Sequence, residues 1–161
     1  MVVVLMGVSG AGKTTIGRLL ADQLGWKFHD ADDLHSDANK AKMASGVALT
    51  DADRAPWLAS ICDLIAESLA RSTNVVLACS ALKQSYRDQL VVDPERVKMV
   101  YLKGSREVIG ARVAHRLSHF MNKGLLDSQF ETLEEPHDAL IVDVAGTPES
   151  IVENIRAKLG L

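Results

Sequence analysis

Residues Met1-Val2-Val3-Val4-Leu5-Met6-Gly7-Val8-Ser9-Gly10-Ala11-Gly12-Lys13-Thr14-Thr15-Ile16 set an apolar run, a glycine-rich loop and the start of a helical pattern end to end. An unbroken apolar run is what a strand covered on both faces shows. Past the loop, Ile16, Leu19, Leu20 and Leu24 recur at helical spacing, and Gly25 is placed to end that helix. Strand, loop and helix in this order begin an α/β fold.

The same alternation continues along the chain. Trp26 to His29 reads as a second strand, followed by an irregular polar stretch. Trp57, Ile61, Leu64, Ile65 and Leu69 mark a long amphipathic helix, with Thr50 and Asp53 as candidate caps and Pro56 suited only to its first turn. Asn74 to Cys79 is an interior strand, and Leu82, Tyr86 and Leu90 give a short helix. Val97 to Leu102 is another strand, Glu107 to Leu117 another helix, and Ala139 to Val144 a last strand. Thr147 and Pro148 then cap and open a final helix with Ile151, Val152, Ile155 and Leu159 inward. The expectation is a three-layer α/β/α domain around a five-stranded parallel sheet, with ligands at the carboxyl ends of the strands.

Bulk properties narrow the classes. The chain has 161 residues, 47% hydrophobic and 24% charged, which fits one soluble domain without linker or repeat. A net charge of −3 supplies no general basic field for nucleic acid or an anionic membrane, so anion binding must be local. Cys62 and Cys79 make no paired motif, and two free thiols fit a reducing compartment. The opening run is too short to span a bilayer and lacks the basic start of a signal peptide, so the protein is read as cytoplasmic.

Gly7 to Thr14 match G-x-x-x-x-G-K-S/T in full. A phosphate chain needs converging backbone N–H groups with no Cβ in the way, and glycines permit that approach. The helix opening at Lys13 adds its positive end. Lys13 is expected at the β- and γ-phosphates of ATP and the Thr14 hydroxyl on Mg²⁺. The assigned ATP contacts are Gly7, Val8, Ser9, Gly10, Ala11, Gly12, Lys13, Thr14, Thr15 and Arg112, the last either at the phosphates or beside the adenine.

Phosphoryl transfer to an alcohol also needs a group that orients the hydroxyl and takes its proton. Asp30, Asp32 and Asp33 lie at the end of the second strand, facing the same crevice as the loop. Alternation along the strand end sends Asp30 and Asp32 to one side. Asp32 is assigned to the acceptor hydroxyl, Asp30 to the water shell of Mg²⁺, and Asp33 to capping the next helix. Arg54 offers a two-pronged donor to an acidic acceptor, against the plainer reading of a surface pair with Asp51 or Asp53. Lys83, after the small residues that follow Cys79, adds a second cation near Ser80; Cys79 itself reads as a small core residue. Between Lys103 and Lys123 the cations Arg106, Arg112 and Arg116 gather with His115 and His119 around one acid, Glu107. A basic lid over about 115–128 would neutralise the transferring group and exclude water, with Arg116 as its catalytic contact.

These motifs carry a resemblance. The stretches MGVSGAGKTT, ADDLHSDANKAKMASGVALTDADRAPWL, CSALKQSYRDQL, YLKG and HRLSHFMNKGLLDSQFETLEEP, with the closing strand and helix, are similar to the gluconate kinases, relatives of shikimate kinase. The resemblance implies ATP-dependent phosphorylation of D-gluconate at its 6-hydroxyl, a flexible lid and a homodimer. It places Asp32, His35, Arg54, Ser80, Lys83 and His119 around the sugar acid. Ala31 and Ser36 depart from the family pattern, which has glycine and proline there. Rival readings are a kinase for another anionic acceptor such as shikimate, and an ATP-binding regulatory module that transfers nothing; a GTPase is disfavoured by the lack of an N/T-K-x-D motif.

Overall fold

The computed structural model describes the backbone of residues 1–116 and 123–161, and the side chains of residues 1–114 and 126–161. Five strands form one sheet: β1 (Val2–Met6), β2 (Lys27–Asp30), β3 (Val75–Ala78), β4 (Val97–Lys103) and β5 (Leu140–Asp143). All described pairings are parallel, in the order β2-β3-β1-β4-β5. The helices are α1 (Lys13–Leu24), α2 (Asp37–Ala44), α3 (Asp51–Ala70), α4 (Gln84–Leu90), α5 (Arg106–Arg116), α6 (Lys123–Thr132) and α7 (Pro148–Leu159). The five-stranded parallel α/β architecture expected from the sequence is the one observed.

Both faces of the sheet are covered, so β1 shows no exposed side. Val3 and Leu5 join the core beneath α1, α5 and α7, with Ile16, Leu20, Ile109, Val152 and Ile155. Val2, Val4 and Met6 join the opposite core, with Trp57, Ile61 and Ile65 of α3 and Leu90 of α4. All five β1 side chains are fully buried, each worth about 1.5–3 kcal/mol for the larger apolar ones. This central strand fixes where the loop behind it begins.

Helix boundaries follow local chemistry. Thr50 and Asp53 form a reciprocal capping box at the start of α3, so both cap candidates act together. Thr147 caps α7 and Pro148 opens it. Several expectations need correction. The second strand runs one residue later than expected, from Lys27 to Asp30. Asp32 therefore sits in a 3-10 turn, Ala31–Leu34, rather than on a strand, and strand alternation does not govern its direction. Asp33 caps nothing: Asp30 accepts from the Asp32 N–H at the turn, and Ser36 accepts from Asn39 N–H at the start of α2. Ser36, the departure from the family pattern, is thus a working cap where proline has no side-chain acceptor. Pro56 lies in the second turn of α3, not the first, because Thr50 starts the helix earlier. The irregular polar stretch holds α2, whose weakly amphipathic sequence gave no periodic signal.

Candidate active site

The loop between β1 and α1 is shaped by its glycines. Gly7, Gly10 and Gly12 have φ of 142°, 83° and 96°, a region that side chains resist. A Cβ on Gly10 would stand 2.4 Å from Val113, so the close approach of α5 also demands glycine. Lys13 folds back over the loop, its Nζ donating to Gly7 O at 2.9 Å and Val8 O at 3.1 Å. Burial pulls its pKa down, while Asp32, Cys79 and Asp30 act to raise it. The Ser9 N–H donates to Gln129 Oε1 of α6 at 2.6 Å.

Two acids meet this loop from the end of β2. The Thr14 hydroxyl donates to Asp30 Oδ2 at 2.8 Å, joining the start of α1 to β2. A hydroxyl and an exposed carboxylate in contact form a hard oxygen pair suited to Mg²⁺, which keeps several of its waters. Asp32 lies deeper. Burial, then the neighbouring Asp30 charge, raises its pKa, with Lys13 and His35 opposing. A carboxylate so destabilised by desolvation is a better proton acceptor than an ordinary one.

Beneath this corner, His35 stacks on Trp57 with ring centroids 4.6 Å apart and planes within 6°. Burial lowers the His35 pKa, and its Nδ1 is buried without a partner. Trp57 donates from Nε1 to Ala31 O at 2.6 Å, tying α3 to the 3-10 turn that carries Asp32. Ala31, the other departure from the family pattern, is fully buried.

On the far side of the crevice, Ser80 to Lys83 follow β3. Gly7 N–H donates to Ser80 O at 3.3 Å, so this turn and the phosphate loop are joined. Ala81 has a φ of 43°, a strained value for a residue with a side chain. Arg87, 2% exposed, holds the turn from inside: its Nη1 donates to Ala81 O at 2.9 Å and Leu82 O at 3.1 Å. Lys83 Nζ bonds both oxygens of Asp51, and Arg54 Nη1 lies 3.5 Å from Asp51. Cys79 is buried with its pKa pushed up to about 12, consistent with a packing residue and not a nucleophile.

Beside the loop, a cavity of about 220 Å³ opens between α1, α5 and α7. It is lined by Gly10, Gly12, Thr15, Arg112, Gly146 and Pro148 among others, and Arg112 donates to Val144 O at its rim.

The sequence profile of the shikimate kinase family matches residues 9–159. A gluconokinase from Gluconobacter oxydans is 45% identical, with 94% of this chain and 87% of that one aligned. The crystal structure of a gluconokinase from Sinorhizobium meliloti superposes with a TM-score of 0.88 at 44% identity, over 98% of this chain and 90% of that one. The chain belongs to the gluconokinase family. Shikimate kinase from Aquifex aeolicus, at 19% identity and a TM-score of 0.63 over 99% of this chain and 96% of that one, shares the fold alone. As a family member the protein is a nucleotide-binding kinase, a phosphotransferase.

The structure brings Gly7 to Thr15, Asp30, Asp32, Ser80 and Lys83 to one crevice at the carboxyl ends of β1, β2 and β3. Arg54 approaches it from the first turns of α3 and does contact Asp51, the plainer reading. Arg116 ends α5, but its side chain lies outside the described residues, as does His119 entirely with the rest of residues 117–122 of the segment assigned to the lid. Sequence reasoning passed over Arg87 and Gln129, and gave Asp51 and Tyr86 no part in the site. Arg87 and Gln129 stand inside the family motifs YRD and SQF, yet neither motif says which backbone groups they meet.

Proposed function

We propose that the protein transfers the terminal phosphoryl group of ATP to the 6-hydroxyl of D-gluconate, giving 6-phospho-D-gluconate and ADP. The observation that carries this reading is Asp32: a carboxylate with a raised proton affinity, within electrostatic reach of Lys13, at the mouth of the phosphate loop. In the proposed reaction, Asp32 orients the acceptor hydroxyl and takes its proton as the oxygen attacks the γ-phosphorus. The bond to the β-phosphate bridging oxygen breaks, and ADP leaves with the electron pair. Lys13 exchanges its loop carbonyls for phosphate oxygens. Thr14 and Asp30 would hold Mg²⁺, Asp30 through water, which neutralises phosphate charge. The adenine fits the cavity beside Arg112.

The sugar acid lies between Asp32 and the Ser80–Lys83 turn, with its carboxylate toward Arg54 and Lys83 and His35 behind. Arg116 and His119 belong to the segment that closes over it. We read the enzyme as cytoplasmic and homodimeric; among the described residues, no helix is long and apolar enough to cross a membrane.

The test is ADP release by the purified protein with gluconate, other sugar acids, shikimate and nucleoside monophosphates, and phosphorus NMR of the product. Gluconate should give the highest kcat/KM and a phosphate monoester at the primary alcohol. Faster turnover of shikimate or a nucleotide, or ADP release indifferent to acceptor, would overturn the assignment. Light scattering tests the dimer.

A further inference from the structure

The phosphate loop makes one contact that its motif does not require. Gln129 reaches from α6, and its Oε1 accepts the Ser9 N–H at 2.6 Å. In loops of this kind, such amides are the groups that hold phosphate oxygens. A neutral acceptor oxygen therefore occupies the side of the amide on which a bound anion would present its own.

Position within the loop decides which phosphate is concerned. The amides at the start of α1 belong to the helix end of the loop. Lys13, the residue that reaches the β- and γ-phosphates, lays its Nζ against Gly7 O and Val8 O, at the other end. Ser9 follows directly in the chain. Gln129 thus stands at the end of the loop where the terminal group of the triphosphate lies.

Helix α6 is fixed firmly enough to place this side chain. Leu126 is buried in the core shared with α1 and α5. Arg106 of α5 pairs with Asp127 at 3.0 Å and stacks over Phe130 at 4.9 Å. Gln129, three residues after Leu126, lies on the same side of the helix and points to the loop.

The chemistry suits a residue that serves both states of the site. A carboxamide carries an acceptor and a donor at nearly equal positions, exchanged by rotation about a soft terminal torsion. In the structure Oε1 accepts from Ser9. With a phosphoryl oxygen on that amide, the same rotation turns Nε2 toward the anion. A glutamate would accept only and would repel phosphate. We propose that Gln129 is a further residue of the nucleotide site, whose carboxamide donates to the terminal phosphoryl group of ATP.

The inference rests on the nucleotide reading of the loop and predicts a selective defect. Calorimetry would measure binding of ADP and of a non-hydrolysable ATP analogue to the wild type, Gln129→Ala, Gln129→Asn and Gln129→Glu, with thermal melting of each. A lost hydrogen bond to a charged group weakens binding about tenfold or more. Gln129→Ala and the shorter Gln129→Asn should therefore lose that factor for the analogue, while ADP stays within about twofold. Gln129→Glu should lose more, and kcat should fall in all three. Equal weakening of ADP and analogue would show a role in loop shape only and overturn the proposal. Tighter analogue binding by Gln129→Ala would make Gln129 a mere stopper, with the same consequence. Failure of the wild type to bind either nucleotide would instead refute the reading of the loop itself.

Discussion

Lys83 Nζ lies 2.9 Å from both carboxylate oxygens of Asp51, and Tyr86 donates to the same acid at 2.5 Å. Asp51 is the first residue of α3 and Lys83 immediately precedes α4, so this pair joins two elements that flank the crevice. Hydrogen bonds from Tyr86 and then Lys83 lower the Asp51 pKa, and the bond to Asp51 raises that of Lys83. The protein's own carboxylate thus occupies the cation assigned to the substrate's.

Competition between the two acids gives the first expectation. Asp51→Asn should lower KM for gluconate and leave KM for ATP unchanged, whereas Lys83→Met and Arg54→Ala should raise KM for gluconate and spare ATP. Steady-state kinetics with each substrate varied in turn checks this. A higher gluconate KM in Asp51→Asn would mean that Asp51 holds Lys83 in place and does not compete.

Asp32 trades stability for reactivity. Its folded pKa is raised above 3.8, so its contribution to stability is full below that value and is lost as pH rises and the carboxyl ionises. Asp32→Asn should therefore melt at or above the wild-type temperature at pH 7, with the gap closing in acid. Its kcat should fall about 10²–10⁴-fold with ATP binding retained. The wild-type kcat/KM should fall on the acid side with a midpoint above 3.8. Near wild-type turnover by Asp32→Asn would remove it from the mechanism.

Arg87 is a buried cation, and no ion pair joins it among the described residues. Such a group is costly to bury, and an apolar residue of similar volume removes that cost while leaving carbonyls short of a donor, so the two effects largely offset to within about 1–2 kcal/mol. Arg87→Met should keep its melting temperature within about 5 °C. Released carbonyls at Ala81 and Leu82 should let the Ser80–Lys83 turn shift, raising KM for gluconate far more than for ATP, with Arg87→Lys intermediate. Parallel losses in both KM values would point to general loosening instead.

Asp53 sets an acid limit on the start of α3. Bonds from Lys42 and then Thr50 lower its pKa to about 2, so its stabilisation is full above 3.8 and disappears as pH falls through about 2. The melting-temperature difference between wild type and Asp53→Asn should be widest above pH 4 and vanish near pH 2. A constant difference across that range would contradict the capping role.

The sheet was legible because burial on two faces leaves long apolar runs, and Val2 to Met6 is such a run. The phosphate loop was legible because its glycines answer a local steric demand. Less was readable where geometry depends on distant partners. Asp32 was singled out from the sequence as a strand-end acid, but its 3-10 turn is set by the Asp30 cap and the Trp57 bond to Ala31. Helix α2 escaped notice because its caps and its buried Asn39, bonded to Asp53 O at 2.7 Å, replace an apolar stripe.

By itself the sequence determined the parallel α/β fold, the phosphate-binding loop and the family, since periodicity and motif spacing are properties of neighbours along the chain. Only the tertiary structure decided that Asp51 pairs with Lys83, that Arg87 supports the strained turn and that Gln129 touches Ser9. Those contacts join residues as far as 120 positions apart, and hydrogen bonds across such separations exist only once packing has fixed the elements that carry them.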